Sequence, residues 1–191
     1  MNEEASDNQS DIRDSTLPEE YSYNQQIVNN IPYAAMTLFG AAIFVVGFAN
    51  PVWGWICAGA YVIYSAAGAL WIIVFLCPFC ERHGTMCCPC GYGRIAARLR
   101  EKNDVSRFRE KFRRHIPVIV PLWFIPIIVG VVFAVRGFSW SIVVLLVAFA
   151  LVAFVILPLF SKRHSCTHCP QKESCPWMSS NSNDKGIQSE E

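Results

Sequence analysis

Eight of the nine cysteines fall in two short windows. The first runs from Cys77 to Cys90 and holds Cys77, Cys80, Cys87, Cys88 and Cys90; the second holds Cys166, Cys169 and Cys175, with His164 and His168 beside them. The C-x2-C spacing occurs three times, as Cys77/Cys80, Cys87/Cys90 and Cys166/Cys169. A two-residue gap lets one tight turn aim both sulfurs at a single ion, and Gly91 directly after Cys90 allows the backbone to fold close behind such a turn. The chemistry expected of this pattern is metal ligation by thiolates. Eight thiols are enough for two four-thiolate sites, with His83, His164 and His168 as substitute ligands.

The cofactor implied is an iron–sulfur cluster or zinc. Paired knuckles and the glycine after Cys90 favour zinc. An excess of thiols over one zinc site favours a cluster. So do the four Cys-Pro steps at Cys77, Cys88, Cys169 and Cys175, which resemble the Cys-Pro ending of bacterial ferredoxin runs, although the full ferredoxin spacing is absent. Two metal-free uses compete: palmitoylation of juxtamembrane thiols such as Cys87 and Cys88, and thiol–disulfide exchange with one C-x2-C pair resolved by another. Palmitoylation does not account for three such pairs. Cys57, alone in an apolar stretch, reads as a small packing residue.

The elements that must position these windows are apolar. Each window directly follows a long hydrophobic run, and from Ile31 to Leu76 there is no Asp, Glu, Lys or Arg. From Ile116 to Phe160 the one charge is Arg136. Segments without a polar face are membrane spans rather than soluble helices. The stretch 31–76, as one helix, would be about 69 Å long, roughly twice the hydrocarbon thickness, so it must turn back on itself. Asn50-Pro51 supplies the turn, giving spans near 31–49 and 52–76. Arg136-Gly137 divides the second run in the same way; Pro117, Pro121 and Pro126 are expected to kink the third span and Pro158 to close the fourth. Each half starts at Ile-Pro and exits into a C-x2-C, the pattern of a duplicated hairpin. Small residues, among them Gly40, Gly47, Gly59 and Gly68, suit close helix contacts. Trp53 and Trp55 suit the far interface.

The predicted fold is therefore an all-α integral membrane protein: four transmembrane helices in two hairpins, a cytoplasmic cysteine-rich module, and a basic amphipathic interfacial helix. Its expected divisions are a disordered acidic tail over 1–30, the first hairpin over 31–76, the cysteine-rich segment and basic helix over 77–115, the second hairpin over 116–160, a Cys/His-rich segment over 161–178, and a disordered tail over 179–191. In the basic helix Val105, Phe108 and Phe112 recur at helical spacing, Arg107, Arg109, Lys111, Arg113 and Arg114 fill the other face, and Asp104 is placed to cap the start.

Sidedness follows from charge. An even number of spans puts 15 of the 16 Lys and Arg on one side, which the positive-inside rule makes the cytoplasm. The expected location is the cell membrane, multi-pass, with both termini cytoplasmic. The acidic start after Met1 does not resemble a cleaved signal, so the first span is expected to be an uncleaved anchor. Expected partners are anionic lipid headgroups against the basic helix and a redox or membrane-complex protein; a basic stripe tethered between spans favours lipid over nucleic acid. No Asp, Glu, Lys or His lies in the expected spans, which disfavours a channel or transporter. The sequence leading reading is an iron–sulfur electron carrier or redox-complex subunit. A zinc-stabilised scaffold without catalysis and a membrane thiol–disulfide oxidoreductase are the alternatives.

Overall fold

A computed structural model describes residues 20–166 and 169. The acidic segment up to residue 19, His168, Cys175 and the tail 179–191 lie outside the described residues, as does the side chain of His164. Among the described residues all regular structure is helical. Four helical runs are long and apolar enough to cross a membrane: Tyr23–Gly47, Pro51–Phe79, Val105–Arg136 and Trp140–Arg163. The shortest has 24 residues, about 36 Å at 1.5 Å per residue, which exceeds the roughly 30 Å hydrocarbon core. This is the architecture of a multi-pass membrane protein.

Helix α1 spans Tyr23–Gly47, starting eight residues before the expected Ile31. The reason is a capping box: the Ser22 hydroxyl accepts from the Gln25 amide at 3.4 Å, and the Gln25 side-chain oxygen accepts from the Ser22 amide at 2.7 Å. Residues 23–30, expected to belong to a disordered tail, are therefore the first two turns of a helix, and Ile31-Pro32 lies inside it. Helix α2, Pro51–Phe75, starts at the expected turn, where the Asn50 side chain caps the Val52 amide at 2.9 Å and Pro51 takes the first helical position. The two helices run alongside each other in opposite directions. Tyr33 meets Ser65 at one end of the contact, and at the other the Gly54 Cα lies so close to the Phe44 backbone that an added methyl would stand 3.2 Å from the Phe44 carbonyl oxygen.

After the first cysteine window come α3, Tyr92–Leu99, and α4, Phe108–His115. Asp104 caps as expected: its carboxylate accepts from the Ser106 amide at 3.0 Å and from the Ser106 hydroxyl at 2.8 Å. The basic helix is not a separate surface element, because a tight turn at Ile116–Val118 carries it directly into α5, Pro121–Arg136. Its aromatic side is half-buried, with the Phe108 and Phe112 rings 5.8 Å apart, while Arg107, Arg109, Arg113 and Arg114 are exposed.

Helix α6, Trp140–Leu151, passes through a widened π-helical turn at Val152–Ile156 into α7, Leu157–Phe160, and a second widened turn at Ser161–Cys166. Pro158 does not close the span as expected. Proline clashes with the carbonyl four residues back, and the extra residue in the preceding turn relieves that clash so the helix can continue. Cys166 thus sits on the helix end itself.

The core where the four runs meet is made of Met36, Ile43 and Phe44 from α1, Ala58 and Tyr61 from α2, Leu122 from α5, and Phe149, Val152 and Ala153 from the last run. In lipid such contacts rest on packing and hydrogen bonds, since hydrocarbon outside is as apolar as the interior. Gly40 lets the Tyr61 ring approach to 2.5 Å of where a methyl would stand, and Gly47 receives the Phe133 ring. Gly59, expected at a contact, faces open space. Tyrosines supply the polar ties. Pro126 has no N–H to give the Leu122 carbonyl, and the Tyr61 hydroxyl donates to that oxygen at 2.9 Å. Tyr64 does the same for Val118, whose helical donor, the Leu122 amide, bonds Ile119 instead. Tyr33, Thr37 and Ser65 form a further, part-buried hydroxyl cluster.

Candidate metal centre

The first window is a folded turn system set on the end of α2. Cys77–Phe79 continues the helix as a tighter turn, and the Cys80 amide donates to the Cys77 carbonyl at 3.1 Å. The next turn follows at once, His83 amide to Cys80 carbonyl at 3.1 Å. The Cys88–Gly91 turn closes at 3.0 Å, with Gly91 at φ 74°, a left-handed conformation that glycine adopts without strain. Gly93 then brings α3 against the window. Its amide donates to the Cys88 sulfur at 3.4 Å and its carbonyl accepts from the Gly84 amide at 3.1 Å. A methyl on Gly93 would stand 2.6 Å from the Arg82 carbonyl oxygen. Arg82 itself is buried and donates from Nη1 to the Cys87 carbonyl.

The second window reaches the first from the end of the last helical run. The Cys169 amide bonds the Cys166 carbonyl at 3.2 Å, so this C-x2-C also closes as a turn. Electrostatics show which thiols share a neighbourhood. Cys77 stands within electrostatic reach of Cys88, Cys80 and Cys90. Cys80 feels Cys169 and Cys88, and Cys90 feels Cys88 and Cys166. Six of the eight expected ligands, Cys77, Cys80, Cys88, Cys90, Cys166 and Cys169, thus fall within electrostatic reach of at least one other thiol. Cys87 is buried in the same window, and Cys175 lies outside the described residues.

Burial first, and then the neighbouring thiols, push the Cys80 thiol up to about 11, although a backbone hydrogen bond from Arg82 and its charge work the other way. Cys90 is pushed up to about 12 by burial, Cys88 and Cys166. A group of thiols crowded into a half-buried site keeps its protons until a cation offsets the charge of the thiolates. An exchange-active cysteine needs the opposite shift, which Cys80 and Cys90 do not show. The donor set is soft and sulfur-rich, which fits zinc or an iron–sulfur cluster. Among the described residues, no three Cys, His, Asp or Glu side chains already close on a common point. The Cys77–Cys80 and Cys166–Cys169 turns each set their own pair of thiols, and ligation of one ion by both windows requires the side chains to converge.

The residues that hold the window against α1 were missed in the sequence. Asn29 Nδ2 donates to the Pro89 carbonyl at 2.9 Å and Asn30 Nδ2 to the Cys90 carbonyl at 3.1 Å. The Tyr21 amide bonds the Met86 carbonyl at 3.2 Å, and buried Gln26 packs against Gly91. The signals were present: Ser22-x-x-Gln25 is a capping-box pattern, and Gln26, Asn29 and Asn30 share one helical face. From the other side Lys111 Nζ lies 5.4 Å over the Phe79 ring, inside the first C-x2-C, and the Arg100 guanidinium lies 5.9 Å over Phe75.

No protein-family model, no curated protein and no solved structure matches the chain.

Proposed function

We propose that the chain is a membrane protein of two helical hairpins whose thiol-rich face lies at the cytoplasmic surface and holds a metal centre there. The observation that carries this reading is that a C-x2-C at the end of each of two apolar helical runs closes as a tight turn, the Cys80 amide on the Cys77 carbonyl at 3.1 Å and the Cys169 amide on the Cys166 carbonyl at 3.2 Å. Sidedness is supported by 15 of 16 Lys and Arg falling on one side of four spans. The basic face of α4 suits the anionic headgroups of that leaflet.

Cys77, Cys80, Cys88, Cys90, Cys166 and Cys169 are the ligand pool, with Cys87 and Cys175 in reserve. Arg82, buried among them, offsets part of the thiolate charge. The protein's role is that of an electron carrier or redox-complex subunit, because a pool of more than four thiols exceeds the need of one structural zinc. When bound, an iron–sulfur cluster supplies one-electron transfer at a potential set by charge, hydrogen bonds to sulfur and exposure. The chain's own residues shape that environment: the Gly93 amide donates to the Cys88 sulfur, and burial limits water. An electron partner meets the protein at this face.

The second reading, a zinc-stabilised scaffold without chemistry, is favoured by the turns at Cys77–Cys80 and Cys166–Cys169, the knuckle geometry of structural zinc sites. Anaerobic purification decides between them. Iron and acid-labile sulfide in stoichiometric amounts, with visible absorption bleached by dithionite, are expected for the first. A colourless protein with stoichiometric zinc establishes the second, and a protein that binds neither metal removes both.

A further inference from the structure

Beside the cysteine window, and bordered by its last residue Cys90, α1 and α3 enclose an open groove of about 520 Å³. One wall is the start of the first membrane run, with Ile27, Ile31 and Ala34 at helical spacing. Exposed Leu38 continues the same line toward the middle of the span. The other wall is α3, where Arg94 and Arg98 stand one turn apart and both are exposed. Cys90 and Gly91 close the end, and the Asn30 amide there is already engaged with the Cys90 and Gln26 carbonyls.

The groove is apolar where it enters the span and doubly cationic at its mouth. We infer that it is a binding site for one anionic phospholipid, the phosphate between Arg94 and Arg98 and an acyl chain along Ile27, Ile31 and Ala34. Charge and shape both argue for this occupant. Two guanidinium groups one turn apart match a phosphate that accepts from both, and the apolar stripe runs without a break from the groove into the membrane-spanning part of α1. A soluble anion satisfies the arginines and leaves the stripe uncovered; a neutral lipid does the reverse. The site differs from the general attraction of headgroups to α4, because it is a groove between two helices and shares Asn30, which bonds the Cys90 carbonyl. It rests on the membrane architecture and not on the thiolate centre.

The test uses the full chain in detergent micelles, titrated with phosphatidylglycerol or phosphatidylcholine of identical acyl chains and read by native mass spectrometry. Phosphatidylglycerol is expected to be retained preferentially with a stoichiometry of one. The double variant R94Q/R98Q is expected to weaken it on the order of thirtyfold, the effect that two basic residues near an anionic surface supply. The control R109Q/R113Q on α4 leaves it unchanged. Equal retention of the two lipids, or equal loss in both double variants, overturns the site while leaving the membrane architecture standing. If preference for phosphatidylglycerol emerges only after residues 1–19 are removed, that acidic segment is the occupant and the inference falls. Photoactivatable phosphatidylglycerol on the unaltered protein gives a readout independent of variant folding: crosslinks are expected in 23–34 and 92–99, and crosslinks confined elsewhere refute the site.

Discussion

Asn30 on the first turns of α1 donates its side-chain amide to the Cys90 carbonyl at 3.1 Å, across a sequence separation of 60 residues. Through this bond and its neighbour from Asn29 to Pro89, the start of the first membrane run holds the cysteine window in place. Replacing both asparagines by alanine leaves two carbonyls without these donors, at a cost of about 1 kcal/mol each. N29A/N30A is expected to keep its helix content by circular dichroism and to lose bound metal to a chelator several-fold faster. Unchanged release would mean that the window holds its shape without α1.

Gly93 is the tightest point of the thiol module. In G93A the new methyl meets the Arg82 carbonyl at 2.6 Å and the Cys88 Cβ at 3.3 Å, so α3 must move away from the window. The expected destabilisation is about 1–3 kcal/mol, read as a lower thermal midpoint and faster reaction of Cys88 with a maleimide. Gly59, which faces open space, is the control: G59A is expected to leave both unchanged.

Tyr61 and Pro126 are coupled through a carbonyl that neither owns. Y61F removes the donor to Leu122 and is expected to cost roughly 1 kcal/mol, in the range measured for hydrogen bonds between membrane helices. In a P126A background the restored backbone N–H supplies that carbonyl, so the same Y61F substitution should cost less. A double-mutant cycle of unfolding in mixed micelles measures the difference, and additive effects would sink the proposed link.

The metal-free thiols carry a pH signature. Cys80 and Cys90 rise from a usual 9.0 to about 11 and about 12 in the fold, chiefly by burial and then by Cys169, Cys88 and Cys166, with Arg82 opposing at Cys80. Between those values the unfolded chain has lost protons that the folded chain retains, so stability of the metal-free fold falls as pH climbs from about 9 towards 12. Below 9 these two thiols add no pH dependence. Alkylation of the reduced, metal-free protein by iodoacetamide should accordingly be slow at Cys80 and Cys90 at neutral pH and accelerate through that window. Fast labelling of either at pH 7 would instead favour an exchange-active thiol.

Much of the architecture was legible because membrane insertion depends on the chain's own composition. The 46 residues from Ile31 carry no charge and the 45 from Ile116 carry only Arg136, each run is too long for one span, and Asn50-Pro51 and Arg136-Gly137 lie near their middles. Asp104 as a cap and the three C-x2-C pairs were equally plain, since each rests on residues a few positions apart. The errors arose where a local rule met a tertiary one. Pro158 ordinarily ends a helix, but a widened turn before it lets the helix run on to Cys166. Polar residues at 23–30 resembled the tail before them until the capping box and their contacts with the window made them helix.

Sequence alone determined that this chain has four apolar runs and two thiol-rich segments, because hydrophobicity and ligand spacing are properties of neighbouring residues. Tertiary structure decided that Asn29 and Asn30 hold the first cysteine window through the Pro89 and Cys90 carbonyls, and that Tyr61 supplies the hydrogen bond Pro126 withholds. Those pairings join residues about 60 or more positions apart, and nothing in a local pattern encodes the packing that brings them into contact.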